Sequence, residues 1–214
     1  MFFAIEGVIG VGKTSLARFL QSSFEANPLL EVFEENPFLS NFYQDRARYA
    51  FQTQIFFLLS RYHQQNRNVP ELLATRKTLI SDYTFDKDSL FARVNLSGDE
   101  LEMYHRVHEA LAEKIPLPNL VVYLRASTDV LMQRITTRDR PYERAMQPDY
   151  IETLNQAYDA FYLDQNNVKT TLVIDTNQLD FVHQPDDLNW VDNRIRQTLQ
   201  LPPFQPELPI PAHK

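Results

Sequence analysis

Three of the chain's four glycines, Gly7, Gly10 and Gly12, fall in one six-residue stretch of the segment GVIGVGKT. The segment fits the phosphate-loop pattern G-x-x-x-x-G-K-[ST]. Its chemistry is anion binding: backbone N–H groups turn inward as a nest, the N-terminus of a following helix adds positive dipole, Lys13 reaches the outer phosphates, and Thr14 can ligate Mg²⁺. The pattern lies where that mechanism needs it. The apolar run FFAIE before it predicts a strand, and TSLARFLQSSF after it places Leu16, Phe19, Leu20 and Phe24 at helical spacing.

Three further groups of residues could act on a bound phosphate. Asp82 ends the β-type run KTLISDY (77–83), where an open α/β sheet puts its ligand crevice, and a carboxylate there can hold Mg²⁺ directly or through water; a helix N-cap would use the same residue. RITTRDRPYER gathers Arg134, Arg138, Arg140 and Arg144 in a segment suited to a lid closing on transferring phosphate charge, although an exposed basic face would have the same composition. Glu31, Glu34 and Glu35 open the segment after the second strand. A kinase acting on a nucleotide must hold the acceptor's phosphate with cations, whereas one acting on a hydroxyl gains from a carboxylate base, so these acids favour a neutral hydroxyl acceptor. A GTPase is not indicated: Gly98 is the only glycine beyond the loop, no D-x-x-G element exists, and N-K-x-D is absent.

The elements that must position these groups follow from periodicity. LEVFE (30–34) reads as the second strand, and the proline in ENPFLSNFYQD marks a turn into a helix. YAFQTQIFFLLSRYHQQ carries Phe51, Ile55, Leu58, Leu59 and Tyr62 on one stripe, widened by Phe56 and Phe57, which predicts a helix buried in the core or against another subunit. DELEMYHRVHEALAEKI is helical in spacing, NLVVYL is a buried strand, and STDVLMQRI is a helix capped by Ser127 or Thr128. A helix over about 148–164, the strand TTLVIDT and the amphipathic DDLNWVDNRIRQTLQ complete the pattern. Five β runs separated by helices imply an α/β fold: a five-stranded parallel sheet flanked by helices, with an arginine-rich lid. At 214 residues the chain has room for one large domain, 1–200, followed by a tail, 201–214, that holds five of the thirteen prolines.

Composition excludes several classes. A net charge of −7 disfavours general affinity for nucleic acid or anionic membrane. The absence of cysteine removes disulfides, thiolate metal sites and a cysteine nucleophile. With no basic leader and no apolar run near the roughly 20 residues of a bilayer span, a cytoplasmic protein is expected.

GVIGVGKT, EVFEENPFLSNFYQD, YAFQTQIFFLLSR, SDYTFDKD and RITTRDRPYE, in this order, resemble the deoxynucleoside kinase family, and within it the bacterial purine deoxynucleoside kinases, over about residues 1–198. The resemblance implies a P-loop kinase fold, a homodimer, and MgATP-dependent phosphorylation of a deoxynucleoside 5′-hydroxyl in nucleotide salvage. It places Gly7, Gly10, Gly12, Lys13, Thr14 and Ser15 at the donor phosphates, Thr14 and Asp82 at Mg²⁺, and Glu31 as the general base. Tyr43 and Glu143 fall where the family holds the 3′-hydroxyl, Gln54 where it reads the base, and Arg61 with Asp88 on the paired residues of the base pocket. Arg134, Arg138 and Arg140 match its lid arginines. Three positions depart from the pattern: Tyr83 replaces the arginine that often follows the strand-end acid, Val32 replaces a proline, and Arg138-Asp139-Arg140 replaces Arg-Gly-Arg. Asp-Tyr together with ENPFL looks most like the deoxyguanosine-preferring branch. A nucleoside monophosphate kinase of the same fold would have to hold its acceptor with Arg46, Arg48 and Arg61. A non-enzymatic nucleotide-dependent module would instead use the apolar helix and the proline tail as contact surfaces.

Overall fold

The computed structural model describes residues 1–32, 36–164 and 170–204. Along the chain run β1 (Phe2–Glu6), α1 (Lys13–Ser23), β2 (Ala26–Leu29), α2 (Leu39–Gln44), α3 (Arg46–Ala74), β3 (Thr78–Ser81), α4 (Asp86–Asn95), α5 (Gly98–Ala112), β4 (Leu120–Arg125), α6 (Thr128–Arg138), α7 (Pro148–Tyr162), β5 (Thr171–Asp175) and α8 (Pro185–Thr198), with a 3-10 turn at Pro141–Glu143. The strands form one parallel sheet in the order β2-β3-β1-β4-β5. All five residues of the central β1 are buried, as expected of a strand covered by helices on both faces.

Register decides what meets at the sheet's C-terminal edge. Ala4 pairs with Ser81 and Leu29 pairs with the same Ser81, so β1, β3 and β2 end nearly level. The phosphate loop leaves β1, Asp82 follows β3 directly, and Glu31 lies two residues past β2. One crevice therefore receives all three.

Two expectations need correction. The second strand is ANPL, not LEVFE: Leu30–Val32 lie past it, and residues 33–35, with Glu34 and Glu35, lie outside the described residues. As an edge strand β2 pairs on one side only, which is why Pro28 is tolerated in it. The long helix α3 keeps its apolar stripe on the core, with Leu58 buried and Phe51, Ile55 and Tyr62 packed against it, and departs from the expectation at Leu59. Thr53, Gln54, Arg61 and Gln65 are buried together with Ala50, Leu58 and Val69, while Leu59 is 42% exposed. Phe56 and Leu59 instead line a shallow groove with Val32, Ser60, His63, Gln64 and Asn68. Gln54 and Arg61 point inward because the space they meet is a cleft.

Candidate active site

The phosphate loop keeps its three glycines at positive φ, 145° at Gly7, 92° at Gly10 and 104° at Gly12. At Gly7 a Cβ would stand 2.4 Å from the backbone oxygen of Leu124, so a side chain is excluded both by space and by conformation. Helix α1 begins without a side-chain cap and without an acid in its first turn, leaving its leading N–H groups available to an anion. Lys13 Nζ donates to the carbonyls of Gly7 and Val8 at 2.6 and 3.1 Å. Burial and the neighbouring Lys87 ammonium push its pKa down to about 8, against the pull of Glu6, Glu31 and Asp82.

Asp82 ties two of the edge segments together. Its Oδ2 accepts from Thr14 Oγ1 at 2.5 Å and its Oδ1 from the backbone N–H of Glu31 at 2.7 Å. Glu31 in turn is held by two cations: Arg61 donates through Nε at 3.0 Å and through Nη2 to Oε1, and Lys87 donates to Oε2. Burial alone would raise its pKa, but the charges and hydrogen bonds of Arg61 and Lys87 outweigh that and hold the carboxyl well below the usual range. Glu31 is ionised. Arg61 Nη1 reaches Asp88, which is fully buried and whose Oδ2 has no hydrogen-bond partner among the described residues.

The opposite wall is the lid. Arg138 grips Glu143 with two bonds, 2.7 and 2.6 Å, and Arg140 stands 3.8 Å from the same carboxylate. Tyr43 stacks on Tyr142 with ring centroids 6.4 Å apart. Asp139 takes the left-handed conformation (φ 47°) that ends α6, and its carboxylate accepts two bonds of 2.7 Å from Arg144, drawing that arginine to the exposed outer side.

A cleft of about 320 Å³ runs between these walls. Of the residues expected at the site it is lined by Gly10, Gly12, Lys13, Thr14, Ser15, Glu31, Tyr43, Gln54, Arg61, Arg138, Arg140 and Glu143. Gly7, Asp82 and Asp88 stand behind that lining. Arg134 is placed elsewhere: it donates to Thr176 Oγ1 at 3.0 Å and to the carbonyls of Thr176 and Leu179 at 2.7 and 3.1 Å. Its guanidinium is spent on the loop after β5, so the expectation of a phosphate-binding lid arginine at 134 gives way to a loop-holding one.

A phosphate loop, a carboxylate held between cations and an arginine lid around one cleft make a phosphotransferase site. The deoxynucleoside kinase family model matches residues 3–200. The chain belongs to that family. The kinase is 33% identical over 201 residues to a deoxyguanosine kinase of Bacillus subtilis, covering 92% of this chain and 97% of that one. It is 28% identical over 211 residues to a deoxyadenosine kinase of Lactobacillus acidophilus, covering 90% and 95%. Among solved structures, deoxyadenosine kinase from M. mycoides with bound dCTP aligns at 27% identity and a TM-score of 0.78, covering 92% of this chain and all of that one. The fold is that of the P-loop kinases.

Sequence reasoning did not place Ile9, Leu39, Phe57, Lys87, Phe91 or Tyr142 in the cleft, nor Glu6 behind it. Lys87 lies on α4, a helix that periodicity did not reveal because its buried residues include Lys87 and Asp88. Phe57 lines the cleft under Arg61, whose guanidinium carbon is 4.5 Å from the ring centroid. Glu6 is fully buried behind the loop, where it accepts from Thr84 N and Oγ1 at 2.5 and 2.9 Å; burial raises its pKa against the lowering influence of Lys87 and Lys13. Its place as the last residue before the loop's first glycine was the available signal.

Proposed function

We propose that the kinase transfers the γ-phosphoryl group of MgATP to the 5′-hydroxyl of a purine deoxynucleoside in nucleotide salvage. One observation carries the reading: an ionised carboxylate, Glu31, shares a cleft with Lys13 and the lid arginines, so an acceptor hydroxyl and a donor phosphate can meet between them. Glu31 orients the hydroxyl and takes its proton, while Lys13, Arg138 and Arg140 stabilise the transferring charge. Thr14 and Asp82 supply the hard oxygen donors that Mg²⁺ takes, two protein ligands with the rest left to phosphate and water. Bound there, Mg²⁺ would neutralise charge on the donor's phosphate oxygens.

Gln54 and Arg61 read the base with Asp88 behind them, and the Asp88 Oδ2, which has no hydrogen-bond partner among the described residues, supports a donor-bearing purine edge such as guanine. Tyr43 and Glu143 hold the 3′-hydroxyl. Of the three cations the monophosphate-kinase reading would use, Arg61 is bonded to Glu31 and Asp88, Arg46 lies over the Tyr150 ring at 4.5 Å and Arg48 over the Tyr49 ring at 5.3 Å, which favours the hydroxyl acceptor. The outward residues of α3, Leu59 exposed beside Phe56 in the groove with Val32, support a homodimer formed through that face. Among the described residues no helix is long and apolar enough to cross a membrane, and a cytoplasmic location is part of the proposal.

A panel of four deoxynucleosides, their ribonucleoside counterparts and the corresponding nucleoside monophosphates with MgATP, read by ADP release, tests the reading. Turnover of deoxyguanosine or deoxyadenosine above all others is expected. Turnover only with nucleoside monophosphates, or only with pyrimidines, would overturn it.

A further inference from the structure

Lys87 is placed against the ordinary preferences of its helix. It is the second residue of α4, in the positively polarised first turn where acids are favoured, and Asp86 and Asp88 on either side of it follow that preference. Its side chain is only 8% exposed, and its ammonium, like that of Lys13, lines the cleft. A structural ion pair would not require it, because Arg61 already serves Glu31 through Oε1; Lys87 takes the other oxygen, Oε2. Among the described residues it also lies near the Phe91 ring, 5.7 Å from Nζ. Lys87 is the third cation here beside Lys13 and Arg61, facing Glu31, Asp82 and Asp88, and the two ammonium groups of Lys13 and Lys87 repel each other unless further negative charge enters between them. In a kinase that charge is the donor phosphate.

We propose that Lys87 is a catalytic residue, which cedes Glu31 Oε2 to the incoming 5′-hydroxyl and donates instead to a non-bridging oxygen of the transferring phosphoryl group. The inference rests on the reading of Glu31 as the base. In the step, the 5′-oxygen forms its bond to the γ-phosphorus as the bond from that phosphorus to the bridging oxygen of ADP breaks. ADP leaves with the electron pair, the hydroxyl proton passes to Glu31 Oε2, and Lys87 keeps all three of its protons. Lys13 attends the phosphates from the loop side and Lys87 from the acceptor side, so the reacting phosphoryl is clamped between two ammonium groups at the moment its charge spreads. In this exchange of partners the hydroxyl that needs the base is what uncovers Glu31 Oε2.

The test is Lys87→Met, which keeps the length and apolar stem and removes the charge, beside Lys87→Arg, which restores a cation. Turnover with saturating MgATP and deoxyguanosine, and nucleoside affinity by calorimetry, are measured for both, with circular dichroism to verify folding. The expected result is a kcat for the Met variant about 10²- to 10³-fold below wild type, nucleoside Kd within about threefold, and recovery of at least tenfold in the Arg variant. A loss of kcat below about tenfold, a loss carried by Kd instead, or an Arg variant no better than Met would each overturn the proposal. Should Lys87→Met not fold, Lys87→Gln is judged by the same limits. Glu31→Gln is assayed in parallel: if it retains wild-type turnover, the reading of the base has failed, whereas a severe loss there with an active Lys87→Met overturns the role of Lys87 alone.

Discussion

Arg61 donates through Nε to Glu31 Oε1 at 3.0 Å and through Nη1 to Asp88, so a single guanidinium joins the carboxylate proposed to take the proton to the carboxylate proposed to read the base. The side chain bridges α3 to α4 and to the segment after β2, and its own environment is nearly dry, at 5% exposure. One planar guanidinium therefore fixes the positions of both carboxylates relative to each other.

Asp88→Asn follows from that coupling. The substitution keeps the shape but replaces an anionic acceptor with an amide, leaving Arg61 without one of its charge partners. The ratio of kcat/KM for deoxyguanosine over deoxyadenosine should move by about tenfold or more, because a site that hydrogen-bonds a base leaves buried groups unpaired when its pattern is changed. Steady-state kinetics on both nucleosides measures it. An unchanged ratio would remove Asp88 from the base pocket.

Lys13→Ala should abolish turnover without loss of the fold. Lys13 donates to two carbonyls of its own loop, bonds that are modest in net worth, whereas its role at the donor phosphates is exerted in the transition state. A loss of about a hundredfold or more in kcat is expected, with an unchanged circular dichroism spectrum. A variant with more than a tenth of wild-type activity would contradict the assignment.

Gly7→Ala should act on stability as well as activity. The new methyl would be forced to 2.4 Å from the Leu124 carbonyl oxygen, on backbone at φ 145° that an L-residue rarely adopts. Urea denaturation should show a loss of at least about 1–3 kcal/mol, the range for one strained backbone position. A wild-type midpoint would mean that the loop relaxes freely.

His108 should make stability depend on pH. It is buried against Phe85, with its ring 4.7 Å from the Phe85 ring centroid and Nε2 3.2 Å from the Phe85 carbonyl. Burial lowers its pKa; the carbonyl, Asp86 and Glu109 oppose that, and His105 adds to it. A lowered folded-state pKa means that the unfolded chain takes up the proton first. The stabilising contribution is complete above the unfolded value near 6.5 and is lost as pH falls toward the folded value. Melting temperatures between pH 7.5 and 5.5 should therefore decline more steeply for wild type than for His108→Gln. Parallel slopes would rule this residue out as the source.

What the sequence disclosed depended on whether local pattern and tertiary role agreed. At GVIGVGKT they agreed: glycine conformation, helix start and anion chemistry act on the same eight residues. The β1, β3, β4 and β5 assignments and the Ser127 cap, which accepts from Val130 N at 3.4 Å, were legible for the same reason. At α3 and α4 they disagreed. A helix lining a polar cleft buries Gln54, Arg61, Lys87 and Asp88, so the rule that apolar faces point inward found the core side of α3, where Phe51, Ile55, Leu58 and Tyr62 pack, but not its cleft side, and concealed α4. The second strand was misplaced because apolar, β-branched LEVFE outweighed ANPL locally, while pairing with Thr78–Ser81 selects ANPL. Lys87 could not be read as a partner of Glu31 from residues 56 positions apart.

The central claim, that Glu31 is the base for a hydroxyl acceptor, is tested most directly by the turnover number of Glu31→Gln at saturating MgATP and deoxynucleoside, compared with Glu34→Gln and Glu35→Gln. Gln preserves shape and much of the hydrogen bonding but cannot accept the proton. A fall of about 10²- to 10⁴-fold in kcat for Glu31→Gln, with nucleoside affinity changed far less and the other two variants within a few-fold of wild type, is the predicted result. Three variants that behave alike, or a Glu31→Gln enzyme with near wild-type turnover, would contradict it.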